Sequence, residues 1–577
     1  MYSYQTPAIG TATRTQNLMS TNAVPVETKI NRMLPVIGSE ASRCADCGSA
    51  GCFMGTGGDA TGCPFARRIP DIHIKIEQAI KILNEANAYL KDINPDLHEK
   101  IRRDYEALQE GQGVDLSDIN ARYPLVIFEA LESSGFEGAT HVQEIFDARM
   151  REAFKISYEG GPMGDIYGRI CPESLCQKSC TPQLSGHGAV QIRMNEAALW
   201  DYSIMRGFYQ PISPSVDRSD QSVVVVASGF AGFAVAERAR EDGYHVVLVD
   251  KNSDPGEIGD AKILSYKANI ERFRRHYDRL RDSGVEIICN TTIGQDGEGL
   301  ESLRQRFNAS AIVLCVGTPF SNTIPMELDV PDVLVDWHEL TKAMHEANHE
   351  KRPYDSIPDK FKATGKKVVI IGNGDTAVDC VRASLYQGAS EIVVTSRTKF
   401  IKAESQDYEA FEKMKLLAQQ YGVSISFELD VTPQKIIKNE KGNSVLIFRG
   451  TQSKPAGELS GDMFVVAAGT NTGDQRAIFE INNMPVNNNG SFSGVYVPDR
   501  IANKSEMMGR GASFLGMLNG TFVFAAGQCV RGDSLAAVAG RDGMDAQKWM
   551  HEALENTENF KDEIHQLSGR PPLVLEG

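Results

Sequence analysis

The sequence predicts an α/β protein in which a helical, cysteine-bearing N-terminal region precedes two Rossmann-like nucleotide-binding units. Three observations carry this expectation. "VVVVASGFAGFAVAERAREDGYHVVLVDK" (223–251) and "KKVVIIGNGDTAVDCVRASLYQGASEIVVTSRTK" (366–399) each read as apolar strand, glycine-bearing turn, helix and second strand. Seven of the eleven cysteines fall before residue 181, in two tight groups. The 215 residues ahead of the first unit show helical patterning but no clear βαβ unit.

A chain of 577 residues exceeds one ordinary core, so several domains are expected. Hydrophobic residues at 41% and charged residues at 24% match a soluble globular protein. The net charge of −16 argues against a general nucleic-acid binder and against attraction to anionic membranes. The longest apolar run, Val223 to Ala236, is well short of the roughly 20 residues of a membrane span. No signal peptide is legible, and the polar, Ser/Thr-rich opening reads as a flexible arm, so a cytoplasmic location is expected.

Four stretches follow in order. Residues 1–215 hold the cysteine groups; within them "KIEQAIKILNEANAYLKDI" sets Ile76, Ile80, Leu83 and Leu90 near one helical face, with Pro95 as a stop. Residues 216–345 form the first nucleotide unit and 346–475 the second. Residues 476–577 return to the first unit and end in a helix.

The first cysteine group is "CADCGSAGCFMGTGGDATGCP" (Cys44, Cys47, Cys52, Cys63); the second is "GRICPESLCQKSC" (Cys171, Cys176, Cys180). Disulfides suit a reducing compartment poorly. Structural zinc would take four cysteines, yet ten residues separate Cys52 from Cys63 and three thiols would remain. Short C-x2-C and C-x3-C spacings beside a Cys-Pro are typical of iron–sulfur ligation. Seven cysteines are one short of two all-Cys [4Fe–4S] clusters, so either one cluster takes another ligand or only one is complete. Cys289, Cys315, Cys380 and Cys529 are scattered singly and read as core thiols.

In the second unit Gly372 permits the tight turn, and Gly374 lets a pyrophosphate approach the backbone. Asn373, Asp375 and Thr376 complete the turn at a helix N-terminus that favours anions. Its second strand ends in Arg397 and Lys399 rather than an acid, which favours NADP(H) over NAD(H); the competing reading is a solvated loop arginine. The first unit keeps Gly229 and Gly232 but has Ala227 where the first glycine should stand. If that position needs φ > 0, alanine costs on the order of 1 kcal/mol. Asp250, with Lys251 after it, marks a ribose without a 2′-phosphate, as in the adenosine half of FAD or NAD. FAD in the first unit and a nicotinamide in the second is the expected pairing.

Two cysteine groups with "GRICP", the FAD-type unit, "GNGDTAVDCVRASLYQGA" and the late "FAAGQCVRGDSL" together resemble the small (β) subunit of glutamate synthase. The same arrangement occurs in the N-terminal part of dihydropyrimidine dehydrogenase. The resemblance covers most of the chain and implies Rossmann-like domains of the disulfide-reductase type behind a two-cluster helical domain. It implies that NAD(P)H reduces FAD, which feeds two [4Fe–4S] clusters and then a larger catalytic partner subunit. It further implies one cluster on Cys44, Cys47, Cys52 and Cys180, and another on Cys63, Cys171, Cys176 and a non-cysteine ligand. In the dehydrogenase relatives that ligand is a glutamine; the matching position here is Glu196, with a solvent-facing helical glutamate as the alternative. Gly527, Gln528 and Ser534 are expected along the flavin.

This chain departs from the family at several points. Ten residues, not three, lie between the third and fourth cysteines, and about seventy (roughly 72–150) are inserted before "GRICP". "EIGDAKILSYKANIERF" replaces the flavin-covering segment, Gln528 replaces an aspartate, and Arg397-Thr398 replaces paired arginines. The competing function is an iron–sulfur relay scaffold with a degenerate flavin site; a weaker one is a stand-alone dehydrogenase acting on soluble acceptors. "HEANH" (345–349) matches a zinc-protease motif, but reads as a polar surface helix between the two units.

Overall fold

The computed structural model describes residues 40–576 except 45–46, 48–49, 55–61, 111–115, 257, 259–261, 265–266, 295–296, 351, 354–355, 400–414, 416–417, 420–421, 451–453 and 497–510. The expected N-terminal arm lies outside the described residues.

The helical region is built first. Ile69–Ile93, Pro95–Glu110, Leu116–Ser133 and Ala139–Gly160 form a bundle that the helix Ile192–Met205 completes. Ile76, Ile80, Leu83 and Leu90 are buried along one face of the first helix, as their spacing demands. Pro95 does more than stop that helix: it opens the next one, where its missing N–H is not needed. Phe128, Phe146, Trp200 and Tyr202 fill the bundle centre. The inserted segment therefore shares one core with the helix Ile192–Met205.

The first Rossmann-like unit is a seven-stranded sheet. Its parallel part runs Thr521–Ala526, Ala309–Leu314, Arg218–Val226, Tyr244–Val249 and Glu286–Ile288; Ala512–Leu518 and Val495–Tyr496 extend it antiparallel. Val223 to Val226 and Val246 to Val249 are buried without alternation because helices cover both faces. Register pairs Val226 with Val249 and Leu314, so the turn at Ala227 leaves the sheet at the C-terminal ends of its neighbours. That edge is where α/β sheets bind ligands.

The second unit is a parallel five-stranded sheet ordered Ser424–Leu429, Glu391–Ser396, Lys367–Ile371, Met463–Val466 and Leu334–Asp336. Leu334–Asp336 and the helix Trp337–His349 belong here, with Val335, Trp337 and Leu340 in the second core. The crossing between units thus falls before residue 334, not at 345. A three-residue strand is too short for its apolar pattern to reveal which sheet it joins. Residues 320–321 pair antiparallel with 470–471 where the chain crosses between the units.

Buried ion pairs fasten the helical region to the first unit. His276 Nε2 lies 2.7 Å from Asp165 Oδ1, and Arg272 joins Arg169 on Asp201; within the first unit Arg279 reaches Glu237 at 2.6 Å. Burial alone would raise the Asp165 carboxyl; His276 and Arg272 outweigh it and hold it well below the usual carboxylate range.

Candidate functional site

The folded chain sorts the cysteines into two sets. Cys52 feels the charges of Cys180, Cys44, Cys47 and Cys63, and burial with those neighbours pushes its thiol far up. Thr181 Oγ1 donates to Cys47 Sγ at 3.1 Å, tying the short helix Thr181–Leu184 after Cys180 to the first group. Cys63, Cys171 and Cys176 line a single cavity together with Glu196, Arg67 and His73. Cys63 N–H donates to the Cys52 carbonyl at 2.8 Å, so the two sets are neighbours.

The electrostatics of this cavity suit a cationic occupant. Burial, then the charges of Glu196 and Cys63, pushes the Cys171 thiol up to about 12. Thiols crowded in this way ionise only if a metal takes the proton's place. Arg193 and Arg67 act in the opposite sense and would offset the charge of bound thiolates. Burial raises the Glu196 carboxyl, against the pull of Arg67, its ion-pair partner. Glu196 is not a solvent-facing glutamate: its side chain is 17% exposed and opens to the cavity. Among the described residues no three His, Cys, Asp or Glu side chains converge on one ion. Thiolates spread around a cavity suit the separate corners of a cubane.

Arg67, which the sequence reading missed, fixes this wall. It is 2% exposed and donates to the carbonyls of Ser157, Gly161 and Pro162 at 3.2, 2.9 and 2.9 Å, as well as to Glu196. No motif marks such a residue, because its partners lie some ninety positions away.

From the cavity, packed aromatic rings lead toward the first dinucleotide turn. Ala537, from the returning C-terminal segment, lines the cavity. The Tyr167 ring stands 4.8 Å from Phe65 and 5.5 Å from Phe230, the first residue of the helix Phe230–Glu241.

At that turn Ala227 adopts φ +72°, so alanine occupies the left-handed region. Gly229 has no neighbour within 4 Å of where a Cβ would stand, leaving the helix N-terminus open. A Cβ on Gly232 would come within 1.9 Å of the Ala227 carbonyl oxygen, so helix and strand close only on glycine. Asp250 is buried: Oδ2 accepts from the Ser228 N–H at 2.9 Å and from its hydroxyl, and Oδ1 accepts from the Asn252 N–H at 2.9 Å. Of about four lone-pair positions one remains, so this carboxylate organises the turn and has room for one ribose hydroxyl. Lys251 is exposed beside it.

The late segment closes over the same edge. Gly527 takes φ +84°, Gln528 Nε2 donates to the Ser534 carbonyl at 2.7 Å, and the buried Ser534 hydroxyl has no partner among the described residues. Asp533, also missed from sequence, accepts from the Thr470 hydroxyl at 2.6 Å and its N–H at 3.1 Å, linking the two units. An open helix N-terminus, an acidic strand end and an unpartnered hydroxyl fit a dinucleotide.

In the second unit Gly372 takes φ +138°, and a Cβ there would lie 2.0 Å from the Ala467 oxygen. Gly374 is open, Asp375 is exposed, and Thr376 is half-buried at the start of the helix Asp375–Tyr386. Asn373 Nδ2 donates to Thr398 Oγ1 at 3.2 Å, holding the turn against the loop that carries exposed Arg397 and Lys399. The segment that stands in place of the flavin-covering one reaches this unit: Leu264 joins the second core, and Lys267 pairs with Asp379. His345 of "HEANH" donates to the Ile258 carbonyl at 3.1 Å, a structural contact.

Comparison with known proteins agrees with this geometry. Residues 221–500 match the pyridine nucleotide-disulphide oxidoreductase family, and residues 136–207 match the dihydropyrimidine dehydrogenase domain II, 4Fe-4S cluster family. The fold and site define an oxidoreductase of the pyridine nucleotide-disulphide type with a 4Fe–4S domain ahead of it. Within that class the chain is similar to the glutamate synthase [NADPH] small chain of Azospirillum brasilense, 27% identical over 70% of this chain and 81% of that one. It is likewise 26% identical to the putative small chain of Cereibacter sphaeroides, over 66% of this chain and 89% of the relative. The Bacillus subtilis small chain is 29% identical over 43% of this chain and 49% of its own length. The chain is thus similar to glutamate synthase small chains, and the relay scaffold with a degenerate flavin site is not favoured. Among the described residues no helix is long and apolar enough to cross a membrane.

Proposed function

We propose that this chain takes electrons from NADPH and passes them through FAD and two [4Fe–4S] clusters to a larger partner subunit. The observation that carries the reading is the convergence of Cys63, Cys171, Cys176 and Glu196 on one cavity, from which Phe65 and Tyr167 lead to Phe230 at the first dinucleotide turn. When bound, FAD supplies the step from two-electron to one-electron chemistry, and the clusters supply one-electron relay.

The chain's own residues divide the work. Gly372 to Thr376 receive the nicotinamide dinucleotide's pyrophosphate on the open helix N-terminus, and Arg397 with Lys399 attract its 2′-phosphate. Gly229 and the turn at Ala227 receive the FAD pyrophosphate. Asp250 takes a ribose hydroxyl, while Gly527, Gln528 and Ser534 flank the flavin side. Phe65 and Tyr167 exclude water between this turn and the Cys63, Cys171, Cys176 and Glu196 set. The Cys44, Cys47, Cys52 and Cys180 set follows, with Cys44 and Cys47 partly exposed toward a partner.

The test is a visible spectrum of anaerobically purified protein, with flavin and iron quantified before and after NADPH. Stoichiometric flavin and two clusters' worth of iron, both bleached by NADPH, are expected. Iron without flavin would sink the proposal. Cys171→Ala should lose half the iron and keep the flavin; full iron in that variant would remove Cys171 from the ligands.

A further inference from the structure

One group in the cysteine cavity is not used by the electron-transfer reading. His73 lies near the start of the helix Ile69–Ile93, is 2% exposed, and lines the cavity with Cys63, Cys171, Cys176 and Glu196. Its Nε2 stands 3.2 Å from Asn195 Nδ2. With the Asn195 NH2 turned toward the ring, its hydrogens donate, Nε2 accepts, and the neutral ring carries its proton on Nδ1. Burial keeps the ring neutral, pushing its pKa down to about 4. Nδ1 is itself buried and has no hydrogen-bond partner among the described residues.

A buried donor without an acceptor is destabilising, and native interiors seldom leave one unexplained. A bound cluster would bring sulphide and thiolate sulphurs into this cavity, and these accept hydrogen bonds. Direct ligation of iron by Nδ1 would require its lone pair, and so a proton on Nε2 facing the Asn195 amide hydrogens. The tautomer set by Asn195 disfavours that arrangement.

We propose that His73 donates an Nδ1–H···S hydrogen bond to the cluster held by Cys63, Cys171, Cys176 and Glu196, and thereby raises that cluster's reduction potential. The inference rests on the two-cluster reading above. Reduction adds negative charge, which a donor to sulphur stabilises. A carboxylate ligand works in the opposite sense. His73 is thus a positioning and tuning residue whose effect offsets the charge of Glu196.

The test compares full-length wild type, His73→Gln and His73→Phe, purified anaerobically, by iron content and by redox titration followed with EPR. All three should hold equal iron. One cluster should titrate at a lower potential in His73→Phe, with His73→Gln, which keeps an N–H donor, lying between. Pulsed EPR on wild type carrying 15N-histidine should show a weak nitrogen coupling to one reduced cluster, lost in His73→Phe. Unchanged potentials with full iron would overturn the inference, as would absence of any histidine coupling in wild type. A strong, ligand-type coupling, with that cluster's iron lost in His73→Phe, would make His73 a ligand and overturn the donor role. If His73→Phe does not fold, the wild-type coupling decides. Wild type holding a single cluster would overturn the two-cluster reading, and this inference with it.

Discussion

At the first dinucleotide turn the chain has alanine at φ +72°; at the second it has glycine at φ +138°. Both turns leave a buried parallel strand, and both hand over to a glycine, Gly229 or Gly374, at an open helix N-terminus. The backbone demands differ. The left-handed well near +60° admits alanine at a cost on the order of 1 kcal/mol, whereas φ near +138° is open only to glycine. The missing glycine of the first fingerprint therefore leaves the turn's geometry intact. A glycine in a motif is replaceable where it supplies a left-handed φ alone, and irreplaceable where it also makes room for a neighbouring carbonyl.

The largest break in this comparison should come from Gly372→Ala, which meets both a forbidden φ and the Ala467 oxygen 2.0 Å away. A loss of about 3 kcal/mol is expected in urea unfolding, with nicotinamide binding impaired. A variant as stable as wild type would show that the second turn relaxes as the first does. Gly232→Ala should cost somewhat less, about 2 kcal/mol, because its Cβ would press on the Ala227 carbonyl and force the helix from the strand. Flavin retention after gel filtration reads its functional side.

The acid-against-base contrast at the strand ends gives a binding test. Arg397→Ala should weaken NADPH about tenfold, the loss of one charge-assisted contact, and leave NADH nearly unchanged. Equal losses for both nucleotides would make Arg397 a solvated loop residue. The smallest effect is predicted for Ala227→Gly. Relief of left-handed strain is offset by the greater entropy of glycine in the unfolded chain, so stability should move by no more than about 0.5 kcal/mol. A gain well beyond that would mean the alanine strains more than its own φ.

Much of this was legible in the chain. The strand–turn–helix runs at 223–251 and 366–399 announce two Rossmann-like units because their periodicity and glycines are local properties. Helix Ile69–Ile93 follows from the spacing of Ile76, Ile80, Leu83 and Leu90. Cysteine spacing pointed to iron–sulfur chemistry, but only family resemblance separated Cys63 from its sequence neighbours. The passage of Leu334–Asp336 into the second sheet was illegible because three residues carry too little pattern.

By itself, then, the sequence determined the order of units, the two turns and the residue types able to meet thiophilic metal, anionic phosphate and ribose. Those depend on contacts within one or two turns of chain. The tertiary structure decided which distant side chains share a space: Glu196 facing Cys171 and paired with Arg67, His73 brought from the bundle into the cysteine cavity, and Asp250 turned toward Ser228. The φ of Ala227 was decided there too, by the packing of the Phe230–Glu241 helix against the end of its strand. Periodicity records which face of an element is buried; only packing records what that face meets.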